Sequence, residues 1–241
     1  PLFQRSFPDA IVGQYDDRVL LDTDGNKDLR YVGFAEANPP DYWAPMGTAL
    51  QFHRTQLSQF PHQAFLKPDP ERVACYKARL AANGTDKLLV GICWRSMMLG
   101  AKRAKYFSPI DAWGPILKTP GVSFVSLQYG DAAADIARAK ELFGVDIHLN
   151  EGLDLRNDID GAAALSGALD LVLSAPTAAA ATAASVGTEV WFLTAGRTWP
   201  QLGTDEYPWY AKTRVLSPEK FGDWASLMPR VADELANLAS T

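Results

Sequence analysis

Cysteine, histidine and positive charge are all scarce in this chain. Its 241 residues include two cysteines, Cys75 and Cys93, and three histidines, His53, His62 and His148. Neither cysteine stands in a CxxC or Cys/His pattern, and the histidines have no metal-ligand spacing, so a structural zinc site and a disulfide framework are excluded. Two reduced, mostly buried thiols in a reducing, cytoplasmic setting are expected instead. Lysine and arginine number 23 against 28 acidic residues, for a net charge of −5. A chain without a basic field is not built to hold nucleic acid or an anionic membrane. A smaller anion is still compatible, because a helix N-terminus and a few cations suffice for a phosphate. No apolar run is long enough to span a bilayer, since the longest mild one, Leu169 to Val186, is alanine-rich and broken by Pro176. A signal peptide, an internal repeat array, a GxGxxG fingerprint, a Walker loop and a GxSxG elbow are likewise missing.

The remaining composition is that of a globular protein, with 47% hydrophobic and 21% charged residues. From Leu88 onward, short apolar runs alternate with helical patterns. Leu88–Cys93, Val122–Gln128, Asp146–Leu149, Leu169–Ser174, Glu189–Thr194 and Arg214–Leu216 read as strands. Helices are predicted over 108–118, 131–142, 158–168, 177–186 and 223–238, the first opened by Ser108 as cap with Pro109 in its first turn. Strand–helix alternation implies a parallel sheet covered on both faces, with ligands beyond the carboxyl ends of the strands. Before Leu88 the character differs. Asp69 to Asn83 reads as a capped helix followed by Gly84, and residues 1–68 are rich in Pro, Asp and aromatics. Three segments are expected: 1–68, a linking helix at 69–86, and the Rossmann-like part at 87–241. The chain opens at Pro1 without an initiator methionine, and Leu2 to Pro8 reads like the middle of a fold, so a fragment is expected.

The loops after the strands carry the candidate chemistry. Thr177 follows a buried strand and opens a helix of small residues, beginning Ala178-Ala179. Small side chains let backbone N–H groups approach a diphosphate, and the helix dipole favours its charge. Tight packing of the alanines on the sheet is the competing and compatible reading. Arg95 and Ser96 stand at the end of the first strand, where a cation and a hydroxyl suit a phosphate or sugar. Lys102, Arg103 and Lys105 follow in a loop that is basic by local count or simply solvated. Gln128 and Tyr129 end the second strand and would face the crevice. Asn157 and Asp158 open a helix, as caps or as readers of a nucleoside. Trp199, Tyr207, Pro208, Trp209 and Tyr210 suit sugars and bases, and suit plain packing somewhat better. No catalytic residue is identifiable.

Taken together, Val90-Gly91-Ile92-Cys93-Trp94-Arg95-Ser96, Gly121 to Asp131, Leu153-Asp154 with Asn157-Asp158-Ile159-Asp160, Ala168 to Ser174, Pro208-Trp209-Tyr210 and Gly222-Asp223-Trp224 resemble the C-terminal region of bacterial glycosyltransferases of the GT-B fold that are linked to tetratricopeptide repeats. Phe3 to Pro8 and Pro45 to Leu50 resemble the end of that family's N-terminal half. The resemblance implies an α/β chain that is the C-terminal half of a GT-B fold plus a partial N-terminal half, binding a nucleotide-sugar donor. It implies metal-independent transfer of the sugar to a protein or glycan acceptor, with no cofactor. Thr177, Ala178 and Ala179 would meet the diphosphate, Arg95 and Ser96 the phosphates or sugar, and Gln128, Tyr129, Asn157 and Asp158 the nucleoside. Distantly similar glycosyltransferases carry an Asn/Asp-Thr pair and a histidine around this loop. Here those places read Ala175, Pro176 and alanines. A non-catalytic, degenerate module used for binding or docking is therefore the alternative expectation.

Overall fold

The computed structural model describes residues 1–13, 19–20, 29–30, 38–39, 41–42, 46–82, 87–97 and 100–240. The sequence expectations placed on Pro45, Asn83 and Gly84, and on the rest of 83–86, lie outside the described residues. The chain divides into two compact units, residues 3–59 with Pro1 and residues 60–241 with Leu2. In the first, Val19–Leu20 pairs antiparallel with Leu29–Arg30, and a helix runs Met46–His53.

The second unit holds a six-stranded sheet, all parallel. Its strands are β1 (Leu88–Cys93), β2 (Val122–Ser126), β3 (Ile147–His148), β4 (Leu171–Ser174), β5 (Glu189–Leu193) and β6 (Thr213–Leu216). They lie in the order β3-β2-β1-β4-β5-β6. The helices are α1 (Pro70–Ala81), α2 (Ala101–Ala104), α3 (Gly114–Leu117), α4 (Ala133–Phe143), α5 (Ile159–Ser166), α6 (Ala178–Ser185) and α7 (Trp224–Ala239). The expected α/β class, with a parallel sheet clothed on both faces, is what the structure shows.

Strand alternation sorts the core into two layers. Val90, Ile92, Leu171, Leu173, Trp191 and Leu193 pack on one face with α3, α4 and α7. Cys93, Val125, Leu127, Val172, Val190 and Phe192 pack on the other with α1, α5 and α6. Strands wanted on both faces read as continuous apolar runs, which is why they were visible in the sequence. Helix ends follow local chemistry. The Asp69 carboxylate accepts the Glu71 and Arg72 N–H groups, and Gly144 takes φ +69 after α4, a left-handed stop that glycine tolerates.

Two expectations are corrected. The helix over 108–118 is instead a 3-10 turn (Ile110–Trp113) followed by the one-turn α3. Pro115 lacks an N–H and its ring crowds the carbonyl four residues back, so a continuous helix cannot pass through it. Ser108 does not cap, because its hydroxyl accepts the Trp113 indole N–H at 2.8 Å. Of the two thiols, Cys93 is fully buried but Cys75 is exposed on the outer side of α1. No helix among the described residues is long and apolar enough to cross a membrane.

Leu173 sits fully buried in a central strand. Leu173→Ala should cost about 2–5 kcal/mol of unfolding free energy, by lost transfer energy plus a cavity. Chemical denaturation would show it as a lower midpoint with an unchanged slope.

Candidate functional site

The strand order reverses between β1 and β4, and the loops leaving these strands part there. Helix α6 starts in this crevice. Thr177 caps it, its Oγ1 accepting the Ala180 N–H at 3.4 Å. The same hydroxyl lies 3.3 Å from Ser174 Oγ and 3.5 Å from Cys93 Sγ, and the side chain is buried. It is thus turned into the fold. Ala181 N–H is taken by the Thr177 carbonyl, so the first-turn amides left without an intrahelical acceptor are those of Ala178 and Ala179.

Arg95 points elsewhere. Its Nε donates to Asp135 Oδ2 at 2.8 Å and its Nη2 to the Asp131 carbonyl at 2.9 Å, so its charge is met by α4. Asp135 Oδ2 also takes the Trp94 indole N–H at 2.8 Å. Ser96 lies half-buried beside it. Gln128 is buried and clamps this loop: Oε1 accepts the Arg95 N–H at 3.1 Å and Nε2 donates to the Arg95 carbonyl at 2.9 Å. A side-chain amide thereby continues the hydrogen bonding between the two segments two residues beyond each strand. Burial pushes the Cys93 thiol up to about 11, so it stays protonated and inert.

Asp158 caps α5 through the Gly161 N–H at 2.8 Å and forms a two-pronged ion pair with Arg72 of α1. The Arg72 guanidinium holds the Asp158 carboxyl below the usual carboxylate range. Asn157 leans the other way, with Nδ2 donating to Asp154 Oδ2 at 2.7 Å.

Two adjoining hollows occupy the crevice. The first, about 260 Å³, lies between α5 and α6 and is almost wholly apolar. Ile159, Ala162 and Ser166 line one side, Ala178, Ala179 and Thr182 the other, and Leu127 and Tyr129 are also in its wall. The second, about 490 Å³, is mixed, with Ser126, Gln128, Asn150, Glu151, Asp154 and Asn157 in its wall beside Leu149, Leu153 and Leu155. Met97, Tyr129, Leu155 and Arg156 line both. Of the residues singled out from the sequence, Tyr129, Ala178 and Ala179 meet at the apolar hollow, and Gln128, Tyr129 and Asn157 at the larger, mixed one. Arg95, Asp158 and Thr177 are engaged in internal contacts. Sequence reasoning missed Met97, Leu155, Arg156 and Ile159. Exposed Ile159 at a helix start was the available signal, for an apolar side chain there has no core to serve.

The later aromatic group is chiefly packing. Tyr207 packs at a tilt against Phe192 with centroids 4.3 Å apart, and Trp209 meets Phe60 edge-on at 4.6 Å. Among the described residues no cluster of three His, Cys, Asp or Glu could hold a metal ion.

No protein-family model matches the chain. It is 41% identical over 250 residues to Protein FlbA of Caulobacter vibrioides, a match covering all of this chain and 40% of that protein. The chain thus spans about two fifths of the length of the curated relative it matches. Among solved structures, a glycosyl transferase family 9 protein from Veillonella parvula superposes with a TM-score of 0.51 at 11% identity, over 72% of this chain and 52% of that one. The ADP-heptose LPS heptosyltransferase II of E. coli does so with a TM-score of 0.51 at 17% identity, over 78% and 58%. These likenesses establish a Rossmann-like fold shared with glycosyltransferases.

The Asp158 carboxyl is held below its unfolded value of about 4, so its contribution is complete above that pH and is lost as pH falls through the lowered value. Asp158→Ala should cost about 1–2 kcal/mol at pH 7, from the cap and the half-exposed ion pair together. The gap to the parent chain should narrow below about pH 4. Thermal unfolding from pH 7 to pH 3 checks this, and a gap constant with pH would contradict the ion pair.

Proposed function

We propose that this chain is the donor-binding part of a glycosyltransferase. One observation carries the reading. At the point where strand order reverses, an apolar slot between α5 and α6 opens into a wider basin of mixed lining, and the free first-turn amides of α6 stand at the rim of the slot. A nucleoside diphosphate has matching parts: a flat base for the slot, a ribose for the basin, and a diphosphate for the helix start. Arg156 lines both hollows and makes no ion pair among the described residues, so it is placed to offset the diphosphate charge. The fold shared with two glycosyltransferases supports the same reading. Donor phosphate charge would be met by backbone amides and Arg156, so the reading calls for neither metal nor cofactor. The acceptor is a protein or glycan, the setting cytoplasmic, and the parent protein a bacterial enzyme linked to tetratricopeptide repeats. The division into 1–68, a linking helix at 69–86 and a donor domain at 87–241 belongs to the same proposal.

A second reading has its own support. Arg95 is neutralised by Asp135 and the Thr177 hydroxyl is turned inward, so two side chains expected at the phosphates are otherwise engaged. A degenerate module that binds without turning over would look like this.

Titration calorimetry of the chain with UDP-, GDP-, CMP- and ADP-linked sugars tests the proposal. One nucleotide should bind, and Ala179→Trp, which fills the slot from the α6 side, should weaken it at least about tenfold, or 1.4 kcal/mol. No binding by any nucleotide, or binding indifferent to Ala179→Trp, would sink the donor reading. Binding with no sugar turnover in the whole parent protein would favour the degenerate module.

A further inference from the structure

Two further hollows, about 180 and 480 Å³, adjoin at the carboxyl ends of β4, β5 and β6, with Gly196, Arg197 and Phe221 in the walls of both. Neither shares a lining residue with the apolar slot or the basin. We propose that the surface around them is a docking face for an acidic polypeptide segment.

The argument starts from charge. Lys102 and Arg103 stand on α2 and Lys105 at its end, Arg197 follows β5, and Lys220 follows β6. All five are exposed. The carboxylates on the same loops are Glu219, Asp205 and Asp223. Asp205 reaches Arg197 only at 3.9 Å, and Asp223 is spent on capping α7. Lys102, Arg103, Lys105 and Lys220 make no ion pair among the described residues. In a chain of net charge −5 this face is a local reversal of sign.

Aromatic surface lies among these cations. Tyr106 and Phe221 meet edge to face at 5.4 Å, with the Lys105 ammonium 5.2 Å from one ring and 6.0 Å from the other. The two residues are 47% and 58% exposed, and Trp199, next to Thr198 in the wall of the smaller hollow, is 76% exposed. Tryptophan, tyrosine and arginine in the open are the composition of a protein-binding surface. Trp199 is also held stiffly. Gln201 Oε1 accepts the Thr198 N–H at 2.8 Å, Gln201 Nε2 donates to the Thr204 carbonyl at 3.0 Å, and the Thr198 and Tyr207 hydroxyls lie 2.9 Å apart. Leu202 closes the turn at φ +51, a left-handed conformation that costs a leucine energy. A stiff loop that presents a large ring to solvent is ordered before a partner arrives, which lowers the entropy lost on binding.

The arrangement selects the occupant. Arg197 is the one cation in the wall of either hollow, and the other four stand outside those walls, so the charge is spread rather than converged on a compact anion. An extended chain with carboxylates along it meets spread cations, and its apolar side chains meet the rings. A membrane or a nucleic acid would bring a much larger field of negative charge against a chain that is itself acidic. The face does not rest on the donor reading, since it lies outside the slot and the basin.

Fluorescence anisotropy with short labelled peptides of glutamate, serine and leucine tests the proposal, in the absence of nucleotide so that the donor reading does not enter. The glutamate peptide should bind, more weakly as salt rises. Its counterpart with glutamine for glutamate should bind at least about tenfold more weakly. Lys102→Glu with Arg103→Glu, Arg197→Glu, and Trp199→Ala should each weaken the glutamate peptide at least about tenfold. Lys77→Glu with Lys87→Glu, a reversal of exposed cations on α1 and before β1, should leave it unchanged. All these side chains are exposed, so melting temperatures should hold. No binding, equal binding of the glutamine peptide, or binding unmoved by the variants of this face would overturn the proposal. So would tighter binding of oligothymidylate or of phosphatidylglycerol vesicles that the same variants abolish, or a dimer in sedimentation that they dissociate.

Discussion

The pairing of β1 with β4 is the constraint on which the site depends. Cys93 lies opposite Ser174 in a parallel register, the Ala175 N–H closes the ladder on the Cys93 carbonyl at 2.9 Å, and the Ser174 hydroxyl reaches the same carbonyl at 3.1 Å. Outward from this pair the chain winds both ways. Because β-to-β crossovers are right-handed, connections running in opposite directions must cross on opposite faces. Helices α3 and α4 therefore cover one layer and α5 and α6 the other. The loops leaving β1 and β4 diverge, and the crevice between them is a product of handedness before any ligand is considered.

That topology was legible because its causes are local. Six short apolar runs separated by capped helical stretches can hardly be anything but a parallel α/β sheet, and Asp69, Asp158 and Thr177 announced their helices correctly. The misread stretch at 108–118 failed on a local rule given too little weight, since Pro115 was present to forbid the helix. The crevice was legible in place; the contacts inside it were not. Arg95 stands where a crevice cation was expected, yet Asp135, forty positions along, captures it. Asp158 was expected as a cap or a reader of a nucleoside; it caps, and Arg72 also holds it across 86 positions. Spacing along one sequence reveals periodicity, and it carries no record of which distant charge closes on which.

Gln128 shows how a polar residue in such a position can serve the fold first. Buried at the strand end, it would be expensive unpaired. Its amide meets both backbone groups of Arg95, so the loop that carries Arg95 is fixed to β2 rather than left to the ligand. The crevice thus has a stiff floor. What remains unfilled by protein contacts is apolar on the side of α5 and mixed around Asn150 and Glu151, and Asn150 Nδ2 is itself buried without a partner.

The alanines of α6 resolve the competition between packing and ligand approach, because a helix has more than one face. Ala180, Ala183 and Ala184 follow the i, i+3, i+4 spacing of an inward stripe and are almost completely buried on the sheet. Ala178, Ala179 and Thr182 fall on the adjoining stripe and line the apolar slot. A larger residue on the first stripe would push α6 off β4 and β5, and on the second it would close the slot. One compositional feature therefore answers two constraints at once. The inward stripe brings the helix start down to the sheet edge, and the outward stripe leaves space in front of its two unpaired amides.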